Sequence, residues 1–157
     1  MKYRFAFISL MIITLTSCNT KNMDTNNGLI IKESPYDFDT TYTKLRSIID
    51  TNPNLKIILE LDHSRNAASV DLNLNSTRII LFGNPKLGTP LMQTSQTVSI
   101  DLPQKIIVYV NDSGNVNIAY NDPSYLKNRH QIEGKDDILA KVSGALNTIT
   151  DKVISAE

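Results

Sequence analysis

The chain has one cysteine, Cys18, so no disulfide can form within it and packing alone must hold its fold together. Cys18 ends an N-terminal segment that has a basic head, with Lys2 and Arg4, and an apolar run over residues 5–15. That run is much shorter than the roughly 20 residues needed to cross a bilayer. The pattern therefore predicts a secretory signal peptide over residues 1–17 and not a transmembrane helix.

The residues around the cysteine indicate where the chain is sent. Leu15-Thr16-Ser17-Cys18 resembles the lipobox of bacterial lipoproteins, which implies cleavage before Cys18 and lipidation of its thiol. The lipid would attach the chain to a membrane of the bacterial cell envelope. Asn19 is not the aspartate that retains lipoproteins at the inner membrane in some enteric bacteria. We therefore expect the outer membrane, on its periplasmic side or at the surface, in a host with two membranes.

The remaining chain suits one domain on a short tether. Residues 18–27 are polar and unpatterned, which predicts a flexible, lipidated tether, and residues 28–157 form the domain. Removal of residues 1–17 takes away two cations and no acid, so the mature net charge is −2. A near-neutral domain lacks the basic surface of a nucleic-acid-binding protein and the polybasic patch that binds anionic lipid. We expect no nucleic-acid partner.

Hydrophobic periodicity predicts an α+β fold. Five segments read as strands, at residues 28–34, 55–61, 78–82, 105–110 and 116–120, and the last two flank a turn and form a hairpin. Apolar residues at helical spacing predict one helix from residue 38 and another after residue 136, with a short helix between them from residue 123. Residues 62–75 can be a short helix or a loop that re-enters the core. The expected architecture is a β-α-β unit, several antiparallel strands and then a helix, with one face of the sheet covered by helices.

Aspartates precede two of the predicted helices and can cap them. Asp37 or Asp39 can cap the first helix, and Asp122 can cap the helix that Pro123 begins.

Residues 83–90 are rich in glycine and proline. Gly83-Asn84-Pro85 and Gly88-Thr89-Pro90 enclose what we expect to be a loop, since glycine permits positive φ and proline fixes φ. The loop can present N–H groups to an anion or a polar ligand, or it can be a rigid connection or a dimer contact.

Several strings in residues 38–132 resemble the DUF302 family, small bacterial and archaeal domains of unassigned function. The strings are Glu60-x-Asp62-His63, Phe-Gly-Asn-Pro-Lys-x-Gly-Thr-Pro-Leu-Met over residues 82–92, Ile-Asp-Leu-Pro over 100–103, Tyr-Asn-Asp-Pro over 120–123, and Arg129-His130. The resemblance implies a TBP-like fold of β-α-β(4)-α order with helices on one face, which agrees with the architecture expected from the residues, and a homodimer. It supplies no reaction, ligand or catalytic residue. The lipoprotein signal departs from the usual family layout.

The only histidines, His63 and His130, admit three interpretations. They can make local hydrogen bonds, contact a ligand, or act in catalysis or metal binding, since imidazole titrates near neutral pH and binds zinc. Neither lies in a zinc-binding motif, so local hydrogen bonding is favoured and we expect no metal and no cofactor. For Arg129 we favour an ion pair with a nearby acid over binding of an anion.

Three function classes follow. The first is a module at the membrane surface that binds a small ligand or partner. Its candidate residues are His63, Asn84, Lys86, Gly88, Thr89, Gln93, Arg129 and His130. A concave pocket that joins His63, Gly88 and His130 would support this class, and separation of the three residues onto opposite faces would refute a site built from them. The second is a structural or stress protein of the envelope that acts through dimer contacts, with residues 83–93 at the two-fold axis. An enzyme with a histidine base is the least favoured class, because no catalytic motif is present.

Overall fold

The computed structural model describes residues 27–155 and contains five strands and five α-helices in that range. The predicted signal peptide, Cys18 and all but the last residue of the tether lie outside the described residues. The strands are β1 (Leu29–Glu33), β2 (Lys56–Asp62), β3 (Thr77–Gly83), β4 (Gln104–Val110) and β5 (Val116–Asn121). The helices are α1 (Phe38–Asp50), α2 (His63–Ala68), α3 (Pro85–Thr94), α4 (Pro123–His130) and α5 (Asp136–Ile154), and a 3-10 helix spans Gln96–Ile100.

The strands form one antiparallel sheet in the order β1-β5-β4-β3-β2. This confirms the predicted α+β class and the β4–β5 hairpin. Asn111 fixes the hairpin turn, because its side-chain oxygen accepts hydrogen bonds from the backbone N–H groups of Ser113 and Asn115 at 3.0 and 2.9 Å. The turn then needs Gly114, whose φ of +85° is strained for any residue with a Cβ.

One face of the sheet is covered by α1 and α5, as predicted. Their apolar residues recur every three or four positions, so each helix presents one apolar stripe to the sheet. Leu45 and Ile49 of α1 and Leu146 of α5 are buried against Ile106 and Val108 of β4. A large side chain of this kind contributes roughly 2–5 kcal/mol, as judged by the usual cost of truncation to alanine.

The opposite sheet face also carries apolar side chains. Side chains alternate between the faces of a strand, so the neighbours of the core residues in β4 and β5 point away from the helices. The strand register aligns one such row across all five strands: Ile31, Ala119, Ile107, Ile79 and Leu61. We call this row the open-face row. Ala119 within it is buried by its neighbours, while the flanking residues are half-buried.

Side-chain caps start several helices. The Asp37 carboxylate accepts from the N–H of Thr40 at 2.8 Å, which identifies the α1 cap, whereas Asp39 pairs with Arg78 at 3.0 Å. Asp122 accepts from the N–H of Ser124 at 2.8 Å and so caps α4, as predicted.

The segment expected to be a loop with unusual backbone angles is instead the helix α3. Asn84 caps it by accepting from the N–H of Lys86 at 2.9 Å, and Pro85 takes the first helical position. Gly88 does not have positive φ. Pro90 inside the helix removes one backbone donor, at a typical cost of about 3 kcal/mol. Leu91 beside it is 1% exposed, and a buried leucine contributes roughly 2–5 kcal/mol.

Residues 62–75 are partly helical. The short helix α2 ends at Ala68, and the chain does not re-enter the core after it. Val70, Leu72 and Leu74 are each at least half exposed, at 63%, 64% and 50%. Of the two alternatives, the helix is therefore formed and the re-entrant loop is not.

Candidate functional site

A cavity of about 370 Å³ lies between α3, α5 and the ends of β2 and β3. Most of its wall is apolar. The cavity is lined by Leu87 and Met92 of α3 and by Val142, Leu146 and Ile149 of α5. We call it the α3–α5 cavity.

The α3–α5 cavity lies beside the place where α3 packs on α5, and Gly88 contributes no side chain to its wall. Leu91 anchors α3 in a second buried cluster with Val98, Ile132 and Leu139. Gly88 leaves room beside it: a Cβ at that position would meet only the Cδ1 atom of Leu102, at 3.6 Å. That is an ordinary van der Waals distance, so larger side chains at position 88 would extend into available space.

The polar groups of the cavity wall are few and carry no negative charge. Asn84, Thr89, Ser99 and Gln104 supply amides and hydroxyls, and Lys56 is the one charged residue among the lining residues. An apolar molecule would be well accommodated, and an anionic group would meet no acid. Small-ligand sites commonly combine apolar walls with a few polar groups in this way.

Some of the predicted ligand-binding residues are at this cavity. Asn84, Gly88 and Thr89 line it, and Thr89 and Gln93 line an adjoining open depression. Lys86 lies in the first turn of α3 and is exposed, without lining either surface.

His130 belongs to a separate buried cluster. Its Nε2 lies 2.6 Å from Oδ2 of Asp101 and its Nδ1 lies 2.9 Å from Oγ1 of Thr97, while its side chain is 5% exposed. Arg129 pairs with the same carboxylate at 3.3 Å, which confirms the ion-pair interpretation for this residue. The Lys105 ammonium donates to the backbone oxygen of Asp101 at 2.8 Å, and burial lowers the pKa of Lys105. We call Thr97, Asp101, Arg129 and His130 the His130 cluster.

The expectation of one pocket joining His63, Gly88 and His130 is wrong. Lys56 pairs with Gly83 at one end of β2, while His63 follows Asp62 at the other end. Seven strand residues separate the two ends, or roughly 20 Å at about 3.3 Å per residue. Neither histidine lines the cavity. Because β2 and β3 are antiparallel, the residue after β2 and the residues after β3 lie at opposite ends of the two strands, which separates His63 from Gly88. His130 is held outside the cavity lining by Asp101 and Thr97.

The residues before His63 fasten helices to the sheet. The Asp62 carboxylate accepts from Nε of Arg78 at 2.8 Å, from the N–H of Arg65 at 2.9 Å and from the hydroxyl of Ser64 at 2.7 Å. Hydrogen bonding by the Arg78 guanidinium, and then by the Arg65 N–H and Ser64, holds the pKa of Asp62 well below its usual range. Asp62 thus caps α2 and also binds β3.

Glu60 of β2 joins the sheet to α1 in the same way. It accepts from the Tyr42 hydroxyl at 2.8 Å and from Nε of Arg46 at 3.0 Å. Burial and the neighbouring Glu60 carboxylate raise the pKa of Tyr42 far above its ordinary value. Sequence reasoning missed these roles, although two carboxylates at alternate positions of a strand indicate side chains on one face.

Within residues 27–155, no group of three or more His, Cys, Asp or Glu side chains is placed to hold a metal ion. In the same range, no helix combines the length and the apolar composition needed to span a membrane.

Comparison with known proteins places the chain in a family. The family model "Domain of unknown function DUF302" matches residues 30–149. A fluoride-specific ion channel FluC 1 of Brucella suis biovar 1 is 31% identical over 116 residues, which are 74% of this chain and 45% of the channel sequence. FluC 2 of Brucella melitensis biotype 1 is also 31% identical, over 43% of its length. The chain thus spans less than half the length of these relatives.

A solved structure agrees in fold. The uncharacterized conserved protein DUF302 from Bacillus stearothermophilus superposes with a TM-score of 0.71, covering 81% of this chain and 98% of that one at 16% identity. The chain therefore belongs to the DUF302 family.

Proposed function

We propose that this domain is a non-catalytic module that binds a small apolar ligand in the α3–α5 cavity at a membrane surface. The observation that carries the proposal is the cavity itself, with a volume of about 370 Å³ and walls that are almost entirely apolar. Ligand pockets commonly measure about 300–1,000 Å³. Burial of apolar ligand surface would contribute about 25 cal/mol per Å² before the costs of association.

Binding is favoured over catalysis by the placement of the titratable groups. A histidine base would have to reach the substrate from within the pocket. His130 does lie beside a carboxylate and a hydroxyl, but both of its nitrogens are engaged by Asp101 and Thr97 and it does not line the α3–α5 cavity. The cavity wall offers Lys56, amides and hydroxyls, which suit recognition of a ligand.

The membrane part of the proposal rests on the sequence. Cleavage before Cys18 and lipidation of its thiol would hold the domain on a bacterial envelope membrane by the tether, with the outer membrane expected in a host that has two. In the Brucella relatives, a homologous segment is part of a protein named as an ion channel. Mass spectrometry of the chain from its host tests this placement. An unmodified Cys18, or residues 1–17 retained on the mature chain, would contradict it.

A second candidate function is structural, through a homodimer. The open-face row supports it, since five apolar residues lie side by side on the sheet face away from α1 and α5. A sheet face of this kind is usually buried by another layer. The dimer contact would then be the sheet face and not residues 83–93, which form α3 and part of the cavity.

Native mass spectrometry of the chain purified from its own host tests both candidates. A retained small molecule of low polarity supports the binding function, and a dimer mass supports the structural one. A monomer that carries no added mass and takes up no apolar probe on titration would contradict both.

A further inference from the structure

Gln104 is a polar side chain that the sheet directs toward the α3–α5 cavity. In the β3–β4 register it is the partner of Phe82, which is 2% exposed and packed between the sheet and the helices. Paired residues of antiparallel strands direct their side chains to the same face of the sheet. The Gln104 side chain therefore lies on the helix-covered face beside Phe82, and both residues line the cavity.

The strand register also directs the charged side chain at this end of the sheet away from the cavity. Lys56 is the partner of Gly83, and Gly83 follows Phe82 in β3. Because side chains alternate between the faces of a strand, the Lys56 side chain lies on the face of the open-face row. No other Lys or Arg, and no Asp or Glu, is among the lining residues in the described range 27–155. An ionised head group inside the cavity would lose its hydration and meet no opposite charge.

The amide of Gln104 is available to a ligand. Its side chain makes no hydrogen bond with any residue that the structure describes. It is half-buried, and none of the fully buried side-chain nitrogen and oxygen atoms in residues 27–155 lacks a partner, so the amide is accessible. The Asn84 side-chain oxygen, by contrast, is occupied as the α3 cap. A primary amide both donates and accepts hydrogen bonds, so Gln104 is complementary to a neutral group that does the same.

From this register and this polarity we infer that the ligand of the α3–α5 cavity is an uncharged amphiphile. It has a hydrocarbon body and one head group that both donates and accepts hydrogen bonds, a hydroxyl or an amide. The hydrocarbon body packs against the apolar side chains of α3 and α5, and the head group binds the Gln104 amide. Gln104 thus determines the specificity of the site. The inference rests on the proposed function and names the ligand class of the same cavity.

Displacement of N-phenylnaphthylamine, a neutral fluorescent probe of apolar sites, tests the inference with the purified chain. The competitors are hexanol, hexanamide and 1-chlorohexane, which have the same number of carbons and differ in whether the head group forms hydrogen bonds. Titration gives the Kd of the probe for each variant, and displacement then gives the Kd of each competitor. Gln104→Met keeps the length of the side chain and removes its amide. It should weaken hexanol and hexanamide about fivefold each and leave 1-chlorohexane unchanged.

Gln93→Met is the matched control. Gln93 is exposed on α3 and lines the adjoining depression, outside the lining of the α3–α5 cavity. All three competitors should bind this variant as they bind the unaltered chain. Thermal unfolding verifies that both methionine variants fold, and Gln104→Leu repeats the measurement with a second side chain that has no amide.

Hexanoate and hexylammonium test the requirement for an uncharged head group. At pH 7 neither should displace the probe from the unaltered chain at the concentrations at which hexanol does, because the cavity offers no opposite charge. Gln104→Glu should bind hexylammonium more tightly than the unaltered chain does, because its carboxylate lies on the cavity side of the sheet.

The outcomes separate this inference from the proposed function. Probe binding with unchanged Kd values for hexanol and hexanamide in the amide-free variants, or with an equal loss for all three neutral competitors, would overturn the role of Gln104 and leave the apolar site standing. Displacement by hexanoate or hexylammonium at the same concentration as hexanol would overturn the uncharged ligand class. Failure of the probe to bind the unaltered chain would overturn the proposed function, and the inference with it.

Discussion

The imidazole of His130 bridges Asp101 and Thr97, with Nε2 2.6 Å from the carboxylate and Nδ1 2.9 Å from the hydroxyl. The bridge joins the end of α4 to the 3-10 helix and to the residue that follows it. His130 is buried, so loss of its side chain removes the hydrogen-bond partner of the Thr97 hydroxyl and leaves the Asp101 carboxylate with only the longer contact to Arg129, at 3.3 Å, in a region of low dielectric.

We therefore expect His130→Ala to lower the free energy of unfolding by about 2 kcal/mol, measured by urea denaturation at pH 7. The matched control is His63→Ala. His63 is half-buried at the start of α2, and its removal should change the free energy by less than about 0.5 kcal/mol. Equal effects of the two variants would contradict a structural role that is specific to the His130 cluster.

Asp62 should make the fold sensitive to acid. The pKa of Asp62 is lower in the folded chain than its ordinary value near 3.9. The ionised carboxylate therefore contributes fully to the free energy of unfolding above about pH 4, and this contribution is lost as the pH falls through the folded pKa. Asp62→Asn keeps an oxygen for the α2 cap and removes the charge that binds Arg78. We expect Asp62→Asn to lower the free energy of unfolding by about 1 kcal/mol at pH 7, and by less at pH values below 4.

Denaturant titrations of Asp62→Asn at pH 7 and at pH 3 measure this difference. Asp112→Asn, at an exposed turn position, is the control and should change stability little at either pH. A deficit of Asp62→Asn that is the same at both pH values would show that the charge of Asp62 does not stabilise the fold.

Gly28 should be required where β1 begins. Its φ is +73°, and a Cβ there would lie 2.3 Å from the Tyr125 ring. Its carbonyl also accepts from the N–H of Asp122 at 2.9 Å, so the backbone cannot move freely. Gly28→Ala should therefore lower the thermal unfolding midpoint, with a cost of about 1–2 kcal/mol.

Gly144→Ala is the control for Gly28→Ala. Gly144 lies in the middle of α5 and a Cβ there would have open space, so alanine should stabilise the helix by up to about 1 kcal/mol. If Gly28→Ala were as stable as the unaltered chain, the close approach of Tyr125 would not constrain the fold.

The open-face row predicts self-association. Ile107 lies at its centre on β4, between Ile79 and Ala119. Ile107→Glu would place a charge in an apolar contact and should convert a dimer to a monomer in sedimentation-velocity ultracentrifugation. Lys141→Glu, on the exposed side of α5, should leave the mass unchanged. A monomer for the unaltered chain at all concentrations would refute the dimer.

The sheet and its helical cover were predictable, because β4 and β5 flank a clear turn and α1 and α5 carry regular apolar stripes. The helix α3 was missed, although Asn84-Pro85 has the same cap-and-proline pattern that correctly predicted α4 at Asp122-Pro123. The loop was predicted instead because residues 83–90 contain two glycines and two prolines, which are unfavourable inside a helix. In the folded chain, Leu91 beside Pro90 is buried with Val98, Ile132 and Leu139, and this packing favours the helix.

The candidate site was only partly predictable. Asn84, Gly88 and Thr89 were expected to bind a ligand and do line the cavity. The opposite wall, including Val142 and Leu146, reads in the sequence as an ordinary core stripe of α5. Such residues line a cavity because the packing of α3 on α5 leaves space beside Gly88, which is a long-range packing property with no local signal.

Probe binding to the α3–α5 cavity tests the central claim most directly. Fluorescence titration with N-phenylnaphthylamine should show saturable binding to the unaltered chain and to Gly144→Leu. Gly88→Leu should bind at least about tenfold more weakly, because its side chain extends into the cavity beside Leu102. Thermal unfolding of both leucine variants verifies that they fold. Equal probe affinity for folded Gly88→Leu and Gly144→Leu, or no saturable binding to the unaltered chain, would contradict a ligand site between α3 and α5.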